Sequence, residues 1–348
     1  NGDNTVRSVK FDSSGDIYYL TQFSDNLTMS SGFSSSFSQS TVVGKISGTT
    51  NQYVWHNVSS SSGVLHGINM ALSPDGNLTV VGEYSGSASF AGQQFTRTGT
   101  SGQDGYIQGI DTSNGNQNYV FTIGSGGNNN DININDLMFD SNPTGGGSSN
   151  IVAFSGFFKG TATFDSGNSL TSAGNEDGFL AKVKFAEEGC YLNGTNYNNA
   201  TAWVHCAGTS SGLVTVEHTT VHASGSSYHI GTFTDTAVFG NTVLTSSGGQ
   251  DIFIAKLSPI GSWQWAVKAG GSYEDRGRGV DVDSSGNVYV SGYFVETATF
   301  GSTSLNASGN GDFDIFIAKL SSSGSWSWAV KAGGPLADDG TRKSIAVD

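Results

Sequence analysis

The chain has 348 residues, of which 36% are apolar and 50 are glycine, and its formal net charge is −14. Fifteen basic side chains against 29 acidic ones argue against the basic patches that bind nucleic acids or anionic membranes. No apolar run reaches the ~20 residues of a membrane-spanning helix, so we expect no direct membrane insertion.

The chain begins at Asn1 rather than Met, and no basic segment followed by an apolar one marks a leader. We therefore expect a secreted protein from which a signal peptide has been removed. A start left by tag cleavage is the alternative.

Five units of strand-like segments follow one another along the chain. The first contains VRSVKFD (6–12), DIYYLTQF (16–23), FSSSF (33–37), STVVGKI (40–46) and NQYVWHNV (51–58). The second contains LHGINMAL (65–72), NLTVVGEY (77–84), SASF (87–90), DGYIQGI (104–110) and QNYVFTIG (117–124). The third contains INDLMFD (134–140), NIVAFSGFF (150–158), TATFD (161–165), DGFLAKV (177–183) and TAWVHCAG (201–208).

The last two units are the most alike. The fourth contains VEHTTVH (216–222), SYHIGTF (227–233), TAVFG (236–240), DIFIAKL (251–257) and WQWAVKAGG (263–271). The fifth contains GRGVDVD (277–283), NVYVSGYF (287–294), TATFG (297–301), DIFIAKL (314–320) and WSWAVKAGG (326–334). Apolar alternation and β-branched residues predict four strands per unit, A to D, with the TATFG-like segment in the loop between B and C.

Repeated four-stranded units favour radial stacking over a sandwich, because one unit cannot bury both of its faces. We predict one all-β domain, a β-propeller of five four-stranded blades plus one extra strand A at the C-terminus. The predicted blades span about 1–62, 63–130, 131–211, 212–275 and 276–339.

The segments VDVDSSGNVYVSGYF, TATFG, DIFIAKL and SWAVKAGG also resemble the β-propeller repeat of secreted and surface proteins of bacteria and archaea. The last two units match closely, the third recognisably and the first two in outline. The resemblance implies a propeller fold and brings no catalytic residues with it. In the first unit only Gly44 and Lys45 correspond to the AKL segment, and the insertion in the third unit departs from the repeat.

After the fifth unit the chain continues with GTRKSIAVD (340–348), which resembles a sixth strand A. It can belong to a further blade of a longer array, be donated to a neighbouring molecule, or close the molecule's own ring. The candidate assembly strand consists of Ser344, Ile345, Ala346, Val347 and Asp348.

Cys190 and Cys206 are the only cysteines, and they flank a polar, Asn-rich insertion. We predict a disulfide, worth about 3 kcal/mol in the chain-entropy account, and hence an oxidising extracellular environment. Two free buried thiols are the alternative. No CxxC motif or histidine pair accompanies these cysteines to suggest zinc.

The acidic residues are the best candidates for metal ligands in this sequence. The turns FDSSGD and DVDSSGN resemble calcium loops in part, but they lack the glutamate ligand. Four loop acids in successive D-to-A connections could gather calcium on one face: Glu274, Asp275, Asp338 and Asp339. Solvated loop acids beside Arg276 and Arg342 are the alternative, so we predict no cofactor and keep calcium as the open question.

The six histidines show no metal-ligand spacing, and no nucleophile, base and acid occur in a recognisable order. We therefore predict no enzymatic activity. Trp263 and Trp265, like Trp326 and Trp328, alternate on one strand face, and we expect them to pack between blades rather than to stack on sugars. Candidate N-glycosylation sites are Asn26, Asn57, Asn193, Asn199 and Asn306.

These observations predict an extracellular or cell-surface structural protein, a self-assembling filament or surface-layer subunit with an adhesive role. Its partners would be copies of itself or surface glycans, and not nucleic acid. A carbohydrate-binding, lectin-like propeller is the first alternative, and a secreted hydrolase is the second.

Overall fold

The computed structural model describes residues 5–23, 27–28, 34–35, 40–73, 76–97, 101–125, 131–139, 151–164, 169–173, 176–186, 189–191, 203–208, 212–309, 311–338 and 345–347. Every regular element in these ranges is a β-strand. The predicted all-β fold is therefore confirmed. Within the same ranges there is no apolar helix of membrane-spanning length.

The described strands form five antiparallel sheets, I to V, each made of strands A to D in chain order. Sheet I consists of β1 (Thr5–Phe11), β2 (Ile17–Phe23), β5 (Ser40–Ile46) and β6 (Tyr53–Ser61), with the hairpin strands β3 (Leu27–Thr28) and β4 (Ser34–Ser35) between B and C. Sheet II consists of β7 (Leu65–Leu72), β8 (Asn77–Tyr84), β11 (Asp104–Asp111) and β12 (Gln117–Ser125), with the hairpin strands β9 (Ser87–Phe90) and β10 (Gln93–Thr96).

Sheet III has a divided strand D. It consists of β13 (Ile132–Phe139), β14 (Ile151–Phe158), β17 (Asp177–Ala186), β18 (Gly189–Tyr191) and β19 (Trp203–Ala207), with the hairpin strands β15 (Thr161–Thr163) and β16 (Ser169–Thr171). Both β18 and β19 pair with β17, on either side of the insertion.

Sheets IV and V are the regular pair. Sheet IV consists of β20 (Val214–Val221), β21 (Ser227–Phe233), β24 (Asp251–Leu257) and β25 (Trp263–Gly271), with the hairpin strands β22 (Thr236–Phe239) and β23 (Thr242–Thr245). Sheet V consists of β26 (Arg276–Val282), β27 (Val288–Val295), β30 (Phe313–Leu320) and β31 (Trp326–Ala332), with the hairpin strands β28 (Thr297–Phe300) and β29 (Thr303–Asn306).

The TATFG-like segments are strands, and their prediction as loop was wrong. In β28 the threonines face solvent while Ala298 and Phe300 are buried. Each hairpin of sheets II, III and V pairs with strand D of the preceding sheet, as when β28 pairs with Gly270 and Gly271 of β25. The hairpin of sheet IV forms a single bridge between Val238 and Gly208, just after β19. The hairpins therefore fasten successive sheets together.

The hydrophobic core lies between successive sheets. Between sheets IV and V, Ile230 and Ile254 pack with Val280 and Phe316, all fully buried. Comparable clusters join I to II, II to III and III to IV in the described chain. Each fully buried side chain of this size contributes roughly 1.5–3 kcal/mol, so these junctions supply most of the stability. Strand packing joins neighbours in the series, and no described strand of sheet V packs on sheet I.

Each strand A carries a β-bulge at the same place, where strand B carries a glycine in sheets II to V. In sheet V the bulge lies between Gly277 and Gly279, opposite Gly292. A Cβ at Gly292 would collide with the carbonyl oxygen of Arg276, and Gly231 in sheet IV meets Thr215 in the same way. Glycine is needed here for close approach of two backbones.

We expect Gly292→Ala to lower the free energy of unfolding by about 2–3 kcal/mol, because the strand A carbonyl must move to admit the methyl group. Gly334→Ala is the matched control, since the nearest atom to its added Cβ is 3.9 Å away. Urea unfolding of both variants checks this, and equal stabilities would contradict the role of the bulge.

Candidate functional site

Three of the four acids of the predicted calcium site are described: Glu274 and Asp275 follow strand D of sheet IV, and Asp338 follows strand D of sheet V. Glu274 forms an ion pair with Arg276, with 2.6 Å between Oε1 and Nε. Oδ2 of Asp338 accepts a hydrogen bond from the Gly334 amide at 2.7 Å, and Asp339 lies outside the described residues. The described residues contain no group of three His, Cys, Asp or Glu side chains placed to hold a metal, and calcium binding stays a prediction.

Asp275 lies inside the corner between sheets IV and V rather than on a solvated rim. Its Oδ2 accepts a hydrogen bond from Gly271 N at 2.6 Å, and its Oδ1 accepts one from Val295 N at 3.2 Å. The side chain is fully buried. Burial, with the neighbouring charges of Asp251 and Glu274, raises the pKa of Asp275 to about 7.

Asp251, the first residue of β24, is the buried neighbour of Asp275. A Cβ at Gly270 would lie 2.9 Å from both Asp251 Oδ1 and Asp275 Oδ2, so glycine at this position leaves room for both carboxyl groups beside its backbone. Burial also raises the pKa of Asp251, against hydrogen bonds from Ser247 and Lys268. Burial thus favours the neutral form of both carboxyl groups, and the hydrogen bonds that Asp275 accepts hold the corner together.

The aspartates of the A–B turns are occupied by the turns themselves. Oδ1 of Asp283 accepts hydrogen bonds from Ser285 N at 3.0 Å and Asn287 N at 2.8 Å. Asp12 makes the same kind of contacts to the amides of Ser14 and Asp16. These contacts account for the aspartates as turn formers.

Buried polar side chains join the strands A of successive sheets. Asn69 donates from Nδ2 to Asp136 Oδ1 at 2.8 Å, and Asp136 Oδ2 accepts from Thr219 N at 2.9 Å. His218 Nδ1 accepts from Val280 N at 3.0 Å, which places the proton of the neutral ring on Nε2, 3.4 Å from Asp136 Oδ2. These contacts fix the register between neighbouring sheets, which is a structural task.

The predicted disulfide falls in the divided part of sheet III. Cys190 lies opposite Phe185 of β17, and Cys206 lies opposite Phe179 of the same strand. Six residues of strand span about 20 Å, whereas the Cα atoms of a disulfide lie within about 7 Å. Bonding would therefore need a register different from the described one, and the disulfide stays a prediction.

Two of the glycosylation candidates lie in the described residues. Asn57 is buried, and its Nδ2 donates to Gly115 O at 3.0 Å, so a glycan there would have to break an inter-sheet contact. Asn306 is exposed on the hairpin of sheet V. Asn26, Asn193 and Asn199 lie outside the described residues.

The tryptophans of strand D divide into two kinds. Trp265 donates from Nε1 to Ser322 O of sheet V at 3.2 Å, which confirms the expected packing between neighbouring sheets. Trp263 and Trp326 instead pack on Phe239 and Phe300 of their own hairpins, at centroid distances of 5.5 and 5.3 Å. Both also pack against the core clusters between successive sheets, as expected.

The outer face of sheet V is apolar and exposed. Ile317, Trp328 and Val330 are 41%, 39% and 52% exposed. Their counterparts in sheet IV, 63 positions earlier, are the fully buried Ile254 and the partly buried Trp265 and Val267. The difference arises because sheet V covers sheet IV and no described sheet covers sheet V.

Sheet I is exposed on its outer side mainly along strand A, since Tyr19, Phe23 and Val42 on the same side are buried. Val9 of β1 is 43% exposed, and its counterparts in the strands A of sheets II to V are at most 3% exposed: Met70, Leu137, Thr219 and Val280. Val6 and Phe11 beside it are 63% and 65% exposed. The two ends of the sheet series are therefore the places where packing groups lack a partner sheet in the described structure. Sequence reasoning missed them because these side chains match buried ones elsewhere.

The raised pKa of Asp275 predicts a pH-dependent contribution to stability. A carboxyl whose pKa is 3.8 unfolded and about 7 folded stabilises the fold below pH 4, and this contribution is lost as the pH rises through 7. The difference corresponds to about 4 kcal/mol at most. In urea unfolding, the stability of the native chain relative to Asp275→Asn should therefore fall between pH 4 and pH 8.

Asp283→Asn is the control with the opposite sign, because hydrogen bonds from Asn287 lower the pKa of Asp283 despite partial desolvation. Its contribution is present at neutral pH and is lost as the pH falls. A native-minus-Asp275→Asn difference that does not change with pH would contradict the buried carboxyl pair.

Comparison with known proteins adds one match. The family model of the beta-propeller repeat matches residues 261–293, which run from β25 through β26 into β27. No curated protein matches the chain significantly. The matched stretch crosses the junction of sheets IV and V, the most regular one in the described structure. The chain thus carries the beta-propeller repeat, as its sequence motifs predict.

Proposed function

We propose that the chain is an extracellular or surface-displayed structural protein whose five sheets are blades of a β-propeller array. Its role would be assembly into a filament or surface layer with an adhesive function, and its partners would be copies of itself. Surface glycans are the further partner class of the adhesive role. We propose neither an enzymatic activity nor a cofactor.

One observation carries this proposal: the series of sheets ends on two complementary apolar faces. Sheet V exposes Trp328 and Val330, and sheet I exposes Val9 and Phe11. Exposed apolar clusters of this kind mark association sites in soluble proteins. The exposed face of sheet V corresponds to a face that the next sheet covers inside the series, and strand A of sheet I corresponds to a strand that covers its preceding sheet. This correspondence favours association of like molecules through their two ends.

The extracellular location is supported by composition. Lys and Arg are scarce, the net charge is −14, and the chain is rich in glycine. The exposed sequon at Asn306 and the two cysteines fit an oxidising compartment. The buried acids and histidines described above are occupied by structural hydrogen bonds, which fits a scaffold better than a catalyst.

The predicted assembly strand Ser344–Asp348 is the alternative linking element to the two apolar faces, and deleting residues 340–348 distinguishes the two. Of this strand, residues 345–347 are described, and Val347 N donates to Asp281 Oδ2 of β26 at 2.7 Å. This hydrogen bond brings the segment beside strand A of sheet V. A strand in that place could continue the series within or between molecules.

Light scattering and electron microscopy of the purified chain test the proposal. We expect the average mass to rise with concentration and elongated or ring-shaped assemblies to appear, because both apolar ends become covered. A chain that remains monomeric at all concentrations would contradict a self-assembling scaffold.

A carbohydrate-binding role is the second candidate, and Trp328 favours it. Its exposed ring lies 6.4 Å from that of Tyr289, which makes an aromatic surface of the kind that stacks on sugars. A glycan array decides this point. Binding lost in Trp328→Ala but kept in Tyr273→Ala, where Tyr273 is an exposed loop aromatic, would favour the lectin-like role.

A further inference from the structure

The junction between sheets IV and V shows what a following sheet supplies to strand D. Its strand A and strand B bury the apolar face, as Val280 does over Ile254. Its C–D turn receives the indole of Trp265, with Gly324 against the ring and Ser322 O accepting the Nε1–H. Its hairpin adds a strand to the end of β25, pairing Ala298 with Gly271.

The junction of sheets I and II uses the same contacts. Trp55 of sheet I donates to Thr112 O of sheet II at 2.9 Å, and Gly115 of the same turn lies against its ring. The hairpin strand β9 pairs with Ser59 and Ser60 of β6.

Sheet V repeats the side of the junction that a following sheet covers, the receiving face, but no described sheet follows it. Trp328 lies where Trp55 and Trp265 lie in their sheets, and it is 39% exposed. Gly333 and Gly334 follow β31 as Gly270 and Gly271 end β25, and no described hairpin pairs with them. An open strand edge of this kind is a ready template for strand addition.

Sheet I repeats the side of the junction that covers a preceding sheet, the entering face, but no described sheet precedes it. Val9 and Phe11 face outward from β1, and the hairpin of β3 and β4 pairs with no strand D in the described residues. Its C–D turn, residues 47–52, is exposed, and Asn51 has a φ of 56° where Gly115 and Gly324 have 76° and 83°.

Resting on the proposed assembly, we propose that sheet V receives sheet I of a second copy of this chain, in a head-to-tail joint that repeats the IV–V junction. Trp328 and Val330 would be covered by β1 and by the 47–52 turn, and the hairpin of β3 and β4 would pair with the end of β31. Such a heterologous joint leaves one receiving and one entering face on every open assembly, so it propagates unless a ring closes.

The C-terminal segment does not form this joint. Val347 N donates to Asp281 Oδ2 of β26, while Ile317, Trp328 and Val330 stay exposed in its presence. An incoming β1 would take the space beside β26. Removing residues 340–348 should therefore leave assembly intact or strengthen it.

Complementary variants test the direction of the joint. Trp328→Ser removes the receiving tryptophan, and Val9→Asp puts a charge on the entering face. We expect each to raise the concentration of half-assembly at least about thirtyfold, because buried aromatic and apolar anchors dominate such interfaces. Mixed together, the two variants should form a dimer and nothing larger, since a single intact joint remains. Tyr273→Ser, exposed but away from both ends, should assemble like the native chain.

A native chain that never assembles would overturn both this joint and the proposed function. If the native chain assembles and Trp328→Ser or Val9→Asp assembles equally well, the joint is wrong and the function survives. A mixture that stays monomeric also overturns the joint, and so does loss of assembly on deleting residues 340–348.

A gain-of-contact variant tests the turn. A Cβ added at Gly115 or Gly324 would lie 2.7 or 2.8 Å from an indole carbon of Trp55 or Trp265, so in the joint the Cβ of Asn51 would hold the turn further from Trp328. Asn51→Gly should therefore lower the concentration of half-assembly in the native chain and have no effect in Trp328→Ser. An equal effect in both would remove the turn from the joint.

Discussion

The burial of one sheet face by the next sheet is the interaction on which this structure depends. A four-stranded sheet with apolar residues on both faces cannot be stable alone, and the chain meets this constraint by repetition. Strand A of each following sheet lies over the preceding face, as Val280 lies with Ile230 and Ile254. The hairpin between strands B and C then joins the edges, so each junction combines apolar burial with backbone hydrogen bonds.

The same constraint gives the ends of the series their character. Interior junctions are satisfied by sequence neighbours, whereas sheets I and V each have one face without a described neighbour. These faces are not equivalent, because the face of sheet V matches one that a following sheet covers, whereas the face of sheet I matches one that covers a preceding sheet. The acids and histidines that might suggest chemistry are occupied in holding corners and strands together, as with Asp275 and His218.

The sequence predicts the strands well, because alternation and near-identical repeats such as DIFIAKL carry a strong signal. It misses the hairpins, since a four-residue run such as β28 is too short to separate a strand from a loop by pattern. It also misses the buried corner, because Asp275 reads as a loop acid until the fold brings Asp251 beside it. The exposure of Val330 cannot be predicted from the local sequence, since the same WAVKAGG segment is covered in sheet IV.

Hydrogen exchange of the last strand D tests the central claim most directly. The amides of β25 are held by β24 and by the hairpin of sheet V, so residues 263–271 should be protected at every concentration. The equivalent stretch 326–334 has only β30 as a described partner. We expect the amides at the end of this stretch to exchange fast in dilute solution and to become more protected as the protein concentration rises. Protection of 326–334 that is the same at all concentrations would contradict joining between molecules.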